Sequence, residues 1–373
     1  MKAQEYRGRQ TDPHIVPKPR DFDAKTQAAN KRKTQFRRKR REESDWPASD
    51  AEFFERFGTD EQCYEFIVRT RWPNGFICPR CGAGGVWLAA GGYYRCDIGH
   101  SISATCETAM HGTRTPLRTW FYAAWLLATH KPGVSALQLA LRKARGTGYT
   151  GTWGTLQKIR SRFDQSVLPK LAGYVEVDEM YVGGRERGTG NTGRGAVSKS
   201  LVAIAVEVEV WRDAHDRLRA KAGRCRLQII PAATKDALHR FIADNIEPGA
   251  TVNTDSNSSY GGLEKLGYDR DVINAGTDDD PLPVLGRVTT NLKRWLMGTH
   301  KGSVRKQHLQ AYLDEFVFRF NRRYEPWTAF GWLLNVMAVP AKRSVEYREL
   351  WAQGRNASAA KKLKIARKKN VSK

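Results

Sequence analysis

The residues best suited to chemistry are two aspartates, each closing a strand-like apolar run, and an asparagine that opens a helix-like one. Asp178 stands in Val175-Glu-Val-Asp-Glu-Met-Tyr-Val-Gly-Gly184, and Asp255 ends Ala250-Thr-Val-Asn-Thr-Asp. Asn291 heads the third run, Asn291-Leu-Lys-Arg-Trp-Leu-Met-Gly-Thr-His300. Two carboxylates from separate strands and a third oxygen donor suit a small hard cation, because Mg2+ prefers a few carboxylates plus phosphate oxygens. A metal pair roughly 3.5–4 Å apart clamps the attacking and leaving oxygens of a phosphodiester. Either aspartate alone reads as readily as a turn or cap residue; their joint placement carries the inference. Glu176 shares a strand face with Asp178 and is a spare acid, whereas alternation turns Glu179 to the other face, where it reads as structural. Asp278-Asp-Asp280 precedes Pro281 and reads as a solvated turn.

A second constellation is built on sulfur. Five of the six cysteines fall between Cys63 and Cys106. Clustered cysteines in a chain that reads as cytoplasmic suit metal better than disulfides. Cys78-Pro-Arg-Cys81-Gly is a knuckle of the kind that holds zinc, with Cys96 about 15 residues on. The partner of Cys96 is irregular. Gly99 stands where a fourth cysteine is expected, so His100 or Cys106 supplies the last ligand, or the site is degenerate. Bound zinc would contribute roughly 10–16 kcal/mol to folding this small unit. Cys225, alone in a strand-like run, reads as core.

These residues need elements to position them. The pattern predicts a short helical piece at about 50–70, a zinc-stapled β unit from Phe76 to Cys106, and helices between Pro116 and Phe163. Lys131-Pro-Gly133 breaks that helical stretch. A short helix over 134–140 has Ser135 as N-cap, and a second covers Tyr149–Arg162. The pair suits a helix-turn-helix that lays its second helix in a major groove, with Trp153 on its packed face and Lys158, Arg160 and Arg162 exposed. A plain helical linker with a basic solvent face is the alternative. Strands follow at Val175–Val182, Leu201–Val210, Leu227–Ile230 and Thr251–Thr254, with Val272-Ile273 a fifth. Helices are predicted over Thr234–Ile246, Leu292–Met297 and Gln307–Arg322, and Gly183–Gly195 reads as a mobile loop. The predicted class is therefore multidomain: a zinc-ribbon β unit, a helical DNA-binding segment and an α/β mixed-sheet domain.

Charge points to the partner. The 373-residue chain carries a net charge of +24, and residues 1–41 hold 14 basic residues against 4 acids. Residues 361–373 add 7 basic residues and no acid. Such ends read as disordered arms that bind phosphate without reading sequence. A merely solubilising tail is the plain alternative. No apolar run is long enough for a transmembrane helix and no secretory signal is visible, so a soluble, cytoplasmic, nucleoid-associated protein without membrane contact is expected.

Six motifs in order then resemble a known group. They are Cys78-Pro-Arg-Cys81-Gly, the run from His111 to Phe121, the run holding Asp178, Pro248 to Asp255, Asn291 to His300, and Tyr312 to Arg323. Over about residues 46–336 the chain resembles bacterial insertion-sequence transposases that join a zinc ribbon and a helix-turn-helix to an RNase-H-like DDE-type domain. The resemblance implies Asp178 and Asp255 as metal ligands with Asn291 in place of the usual glutamate, served by Mg2+ or Mn2+, two ions in all. It puts Lys293, Arg294, His300 and Lys301 near DNA phosphates; for structural Zn2+ the residues themselves favour Cys78, Cys81, Cys96 and His100, Gly99 being a departure from the family's ribbon. The domains expected are a basic arm (1–45), the ribbon with its leading helix (46–112), the helix-turn-helix (113–170), the catalytic domain (171–345) and a basic tail (346–373). The implied activity is end cleavage and strand transfer on double-stranded DNA by a homo-oligomer. A non-catalytic repressor or domesticated remnant, and an RNA-associated nuclease, are the alternatives.

Overall fold

The computed structural model describes residues 45–88, 92–142, 148–183, 199–213, 215–272, 282–302 and 304–340. The expectations for both basic ends, most of the Gly- and Arg-rich stretch after Gly183, Ile273 and Asp278–Asp280 lie outside the described residues. In chain order, α1 (Asp50–Phe57) and α2 (Asp60–Arg71) lead into a ribbon of β1 (Gly85–Leu88), β2 (Tyr93–Cys96) and β3 (Ser101–Ile102). Helices α3 (Leu117–Thr129), α4 (Ala136–Arg142) and α5 (Tyr149–Arg160) follow. The main sheet is made by β4 (Tyr174–Val182), β5 (Ser200–Arg212), β6 (Leu218–Ile230), β7 (Thr251–Thr254) and β8 (Asp269–Val272), with α6 (Lys235–Asn245) between β6 and β7. Last come α7 (Pro283–Gly298), α8 (Leu309–Asn321) and α9 (Pro326–Ala338). Two units result: Gln165–Arg294, and Ser44–Asp164 together with the chain from Trp295 on.

The first unit is a mixed sheet in the order β6-β5-β4-β7-β8. β4, β5 and β6 pair antiparallel, while β4–β7 and β7–β8 pair parallel. Alternation sends Val175, Val177, Leu201, Ala203 and Ala205 to one face, against Leu238, Phe241 and Ile242 of α6. The Thr234 side chain caps that helix by accepting from the Ala237 N–H. β6 starts at Leu218, nine residues earlier than its apolar stretch predicts. Its basic first half is drawn into the sheet by pairs with β5 and the turn, Arg219 with Asp213, Lys221 with Glu209, Arg224 with Glu207. Helix α7 likewise starts at Pro283 rather than Leu292. Gly286, Val288, Thr289 and Thr290 are weak helix formers, but the Glu176 carboxylate accepts from the Leu285 N–H in the first turn at 2.6 Å.

In the second unit the leading helical piece is two helices, broken at Gly58-Thr59. Each has a side-chain N-cap, Ser49 and Thr59. Ser135 caps α4 as predicted, accepting from the Gln138 N–H. Phe53, Phe57, Trp120, Phe121, Leu156 and Ile159 share one core with Phe318, Phe330, Leu333 and Met337. Helices α8 and α9 thus pack with the N-terminal helices, whereas the sequence pattern assigned the chain up to 345 to the sheet domain. An apolar helix face shows that it must be covered, not by what.

Candidate metal sites

The ribbon brings Cys78, Cys81, Cys96 and His100 together, their ligand atoms all within 4.8 Å of one another. Cys81 Sγ and Cys96 Sγ are 3.7 Å apart, and His100 Nδ1 lies 3.7 Å from Cys78 Sγ and 3.5 Å from Cys96 Sγ. A tetrahedral zinc with Zn–S near 2.3 Å and Zn–N near 2.0–2.1 Å places sulfurs about 3.8 Å apart and sulfur from nitrogen about 3.6 Å. The donor set fits zinc in type and spacing. Gly99, which looked like a missing ligand, has φ +97 and closes a turn through its N–H to the Cys96 carbonyl; Gly82, φ +74, does the same at Cys78. The second turn is one residue shorter, so its left-handed glycine precedes the ligand His100, whereas Gly82 follows the ligand Cys81. Cys106 is not in the cluster; its carbonyl, with that of Ala104, accepts from Arg71 of α2. Burial pushes the Cys96 thiol up, but N–H groups of His100 and Ile98 and the neighbouring thiols outweigh it and bring it to about 6. A thiolate is the form a metal takes.

The two aspartates come from neighbouring parallel strands. β4 and β7 pair with Glu176 opposite Asn253. Asp178 lies two residues beyond Glu176 on β4, and Asp255 two residues beyond Asn253, just past the end of β7. Asp178 and Glu179 are half-buried and Asp255 lies just past the end of β7, also half-buried. Asp178 Oδ1 accepts the Glu179 N–H at 2.7 Å, and Asp255 Oδ1 accepts the Asn257 N–H at 3.0 Å. Glu179 accepts from the Tyr260 hydroxyl at 2.6 Å and from Asn257 Nδ2 at 3.3 Å. Burial, then the charges of Glu179, Asp178 and Asp255, push the Tyr260 phenol far up. One carboxylate, that of Glu179, bonds this buried hydroxyl, and the charges of Asp178 and Asp255 also act on it. Hard oxygen donors in this arrangement suit Mg2+ or Mn2+. Asn291 lies exposed on α7 in the same unit, beside the helix's buried stripe of Val284, Leu285, Val288 and Leu292. Sequence reasoning passed over Asn257 and Tyr260. The Asp255-Ser-Asn257 pattern, in which an aspartate accepts from the backbone two residues on, was the available signal.

The candidates for DNA contact divide by exposure. Lys293, Arg294 and Lys301 are exposed, and Lys158 and Arg162 are half-buried. Lys158 Nζ donates to the His111 carbonyl, and Trp153 is half-buried with its ring against His308. Two expectations need correction. Arg160 is 1% exposed and pairs with Glu315 at 2.6 Å, so it faces the core rather than solvent. His300 is buried between Trp295 and Tyr312. Burial, then Arg160 and Arg319, hold it down at about 3, so it is neutral and offers a phosphate no charge. α5 is buried over most of its circumference, and its open part is the first turn, Tyr149 and Thr150.

Among the described residues no helix is long and apolar enough to cross a membrane. Residues 170–321 match the ISXO2-like transposase domain, and residues 58–98 match the transposase zinc-ribbon domain. A curated relative, an uncharacterized protein in transposable element ISH50 of Halobacterium salinarum, is 27% identical over 291 residues. The match covers 70% of this chain and 91% of that protein.

Proposed function

From a chain that carries the zinc-ribbon and ISXO2-like domains of insertion-sequence transposases, we propose a DNA transposase that cuts the ends of its element and joins them to target DNA. The observation that supports the chemistry is that Asp178 on β4 and Asp255 just past β7 come from neighbouring parallel strands inside the ISXO2-like segment. The mixed sheet, three strands antiparallel and two parallel, with a helix on one face, supports an RNase-H-like catalytic domain.

Asp178 and Asp255 hold divalent cations, with Asn291 as a neutral carbonyl ligand or phosphate contact. Bound Mg2+ or Mn2+, two ions by analogy with other phosphodiester enzymes, would stabilise charge on the phosphate and lower the pKa of the attacking oxygen. End hydrolysis and strand transfer are both in-line displacements at phosphorus, so one arrangement of oxygen donors serves both by positioning and charge stabilisation. The Cys78, Cys81, Cys96 and His100 set holds structural Zn2+. DNA is met by the first turn of α5, by Lys158 and Arg162, by Lys293, Arg294 and Lys301, and by the basic ends. Arg160 and His300 are not in that set. Handling two element ends at once calls for a homo-oligomer.

The test is end cleavage on labelled double-stranded DNA carrying the element's ends, with and without Mg2+. Metal-dependent breaks at the ends support the transposase. Tight, salt-sensitive binding without breakage would favour a repressor, and co-purified RNA that guides or receives the cut would favour an RNA-associated nuclease.

A further inference from the structure

The core-facing positions of β4 run Val175, Val177, Glu179, so a carboxylate stands where the pattern asks for a third apolar residue. An ionised group in such a place is costly unless its oxygens are bonded. Both are. Oε2 takes the Tyr260 hydroxyl and Oε1 the Asn257 side-chain amide. Asn257 also gives its N–H to Asp255, and its Oδ1 is fixed by the Ser259 N–H at 2.9 Å. Glu179 in turn gives its own N–H to Asp178. A continuous path of hydrogen bonds thus runs from one aspartate to the other. It is anchored by a tyrosine that is 0% exposed and packed in the core beneath the sheet. Asp255 has special need of it, since it lies beyond the last ladder pair of β7.

We propose that Tyr260, Glu179 and Asn257 are positioning residues that set the spacing and direction of the Asp178 and Asp255 carboxylates, and so the affinity of that pair for divalent cations. The proposal rests on the assignment of Asp178 and Asp255 as cation ligands made above. Glu179 also adds a third negative charge beside the pair, which a bound cation relieves. Groups that orient metal-binding carboxylates typically change metal affinity ten- to a hundredfold when removed.

The experiment is Mn2+ titration by calorimetry on the full-length, zinc-loaded protein, comparing wild type with Tyr260→Phe, Glu179→Gln and the Asp178→Ala/Asp255→Ala double variant. Tyr260→Phe keeps the ring and removes only the donor; Glu179→Gln keeps the shape and removes the charge. We expect Mn2+ affinity to fall about tenfold or more in each, with zinc content and far-UV circular dichroism unchanged. If Tyr260→Phe should fold poorly, Glu179→Gln decides alone. Wild-type affinity in the folded single variants overturns the positioning role while leaving the aspartates in place. Wild-type binding that persists in the double aspartate variant overturns the cation assignment itself, and the positioning role with it.

Discussion

Arg160 and Glu315 meet at 2.6 Å with 1% and 0% of their side chains exposed, and Arg319 stands 3.8 Å from the other carboxylate oxygen. Removing one member of such a pair leaves a buried charge uncompensated, whereas replacing both by apolar residues of similar volume is often neutral. Glu315→Ala should therefore destabilise the protein by about 3–5 kcal/mol. Arg160→Met/Glu315→Leu should recover most of that in urea unfolding. The neighbouring His300 gives the pH sign. Its folded value, about 3, is depressed below the ordinary histidine value, so the unfolded chain binds the proton first. Stability is then full above about pH 6.5 and is lost as pH falls from there toward 3, by about 2 kcal/mol at pH 5. A His300→Gln variant should show a flatter stability profile between pH 7 and 5. The types of these residues were visible in the sequence, but the acid that pairs with Arg160 and the rings that enclose His300 were not. Arg160 stands two residues after Lys158, which turns it away from that side chain, and four after Leu156, in line with the packed face; α8 supplies Glu315 as its partner there.

At the scale of elements, the ribbon depends on which residue completes its cluster. His100→Ala should lower bound zinc below one equivalent and loosen the ribbon, while Cys106→Ser should keep one equivalent. Zinc content of the purified variants measures both. In the helical unit, the Trp46 indole lies so close to Gly331 of α9 that an added Cβ would run into the ring. Gly331→Ala should cost about 1–3 kcal/mol by overpacking, visible as a lower midpoint in urea. Sequence spacing gave the first knuckle, β4, β7, α6 and the Ser135 cap, because each is written in local pattern, while the second half of the ribbon site read as irregular. It missed the true start of α7, since a carboxylate on β4 completes its first turn. It also missed the early half of β6, which owes its place to ion pairs with β5 and the turn.

At the scale of the whole molecule, Asp178 and Asp255, 77 positions apart in sequence, come from the neighbouring parallel strands β4 and β7, Asp255 just past the end of its strand. The residues themselves were legible because each closes an apolar run; the pairing that makes their strands neighbours was not, since parallel pairing leaves no local signature. The proposed role of the basic ends is to bind phosphate through charge. Removing residues 1–41, which carry ten surplus positive charges, should weaken DNA binding at low salt. The dependence of log K on log salt should also flatten, by about 0.9 for each phosphate that the arm no longer neutralises. Fluorescence anisotropy over a salt series reads that slope. The most direct test of the account is strand joining from precut element ends, which already carry the free 3′-hydroxyl, by wild type, Asp178→Ala and Asp255→Ala in Mg2+ or Mn2+. Metal-dependent joining by wild type, with a loss of at least a thousandfold, about 4 kcal/mol of barrier, in each aspartate variant despite unchanged DNA binding, is the expected result. Joining that survives either substitution would contradict it.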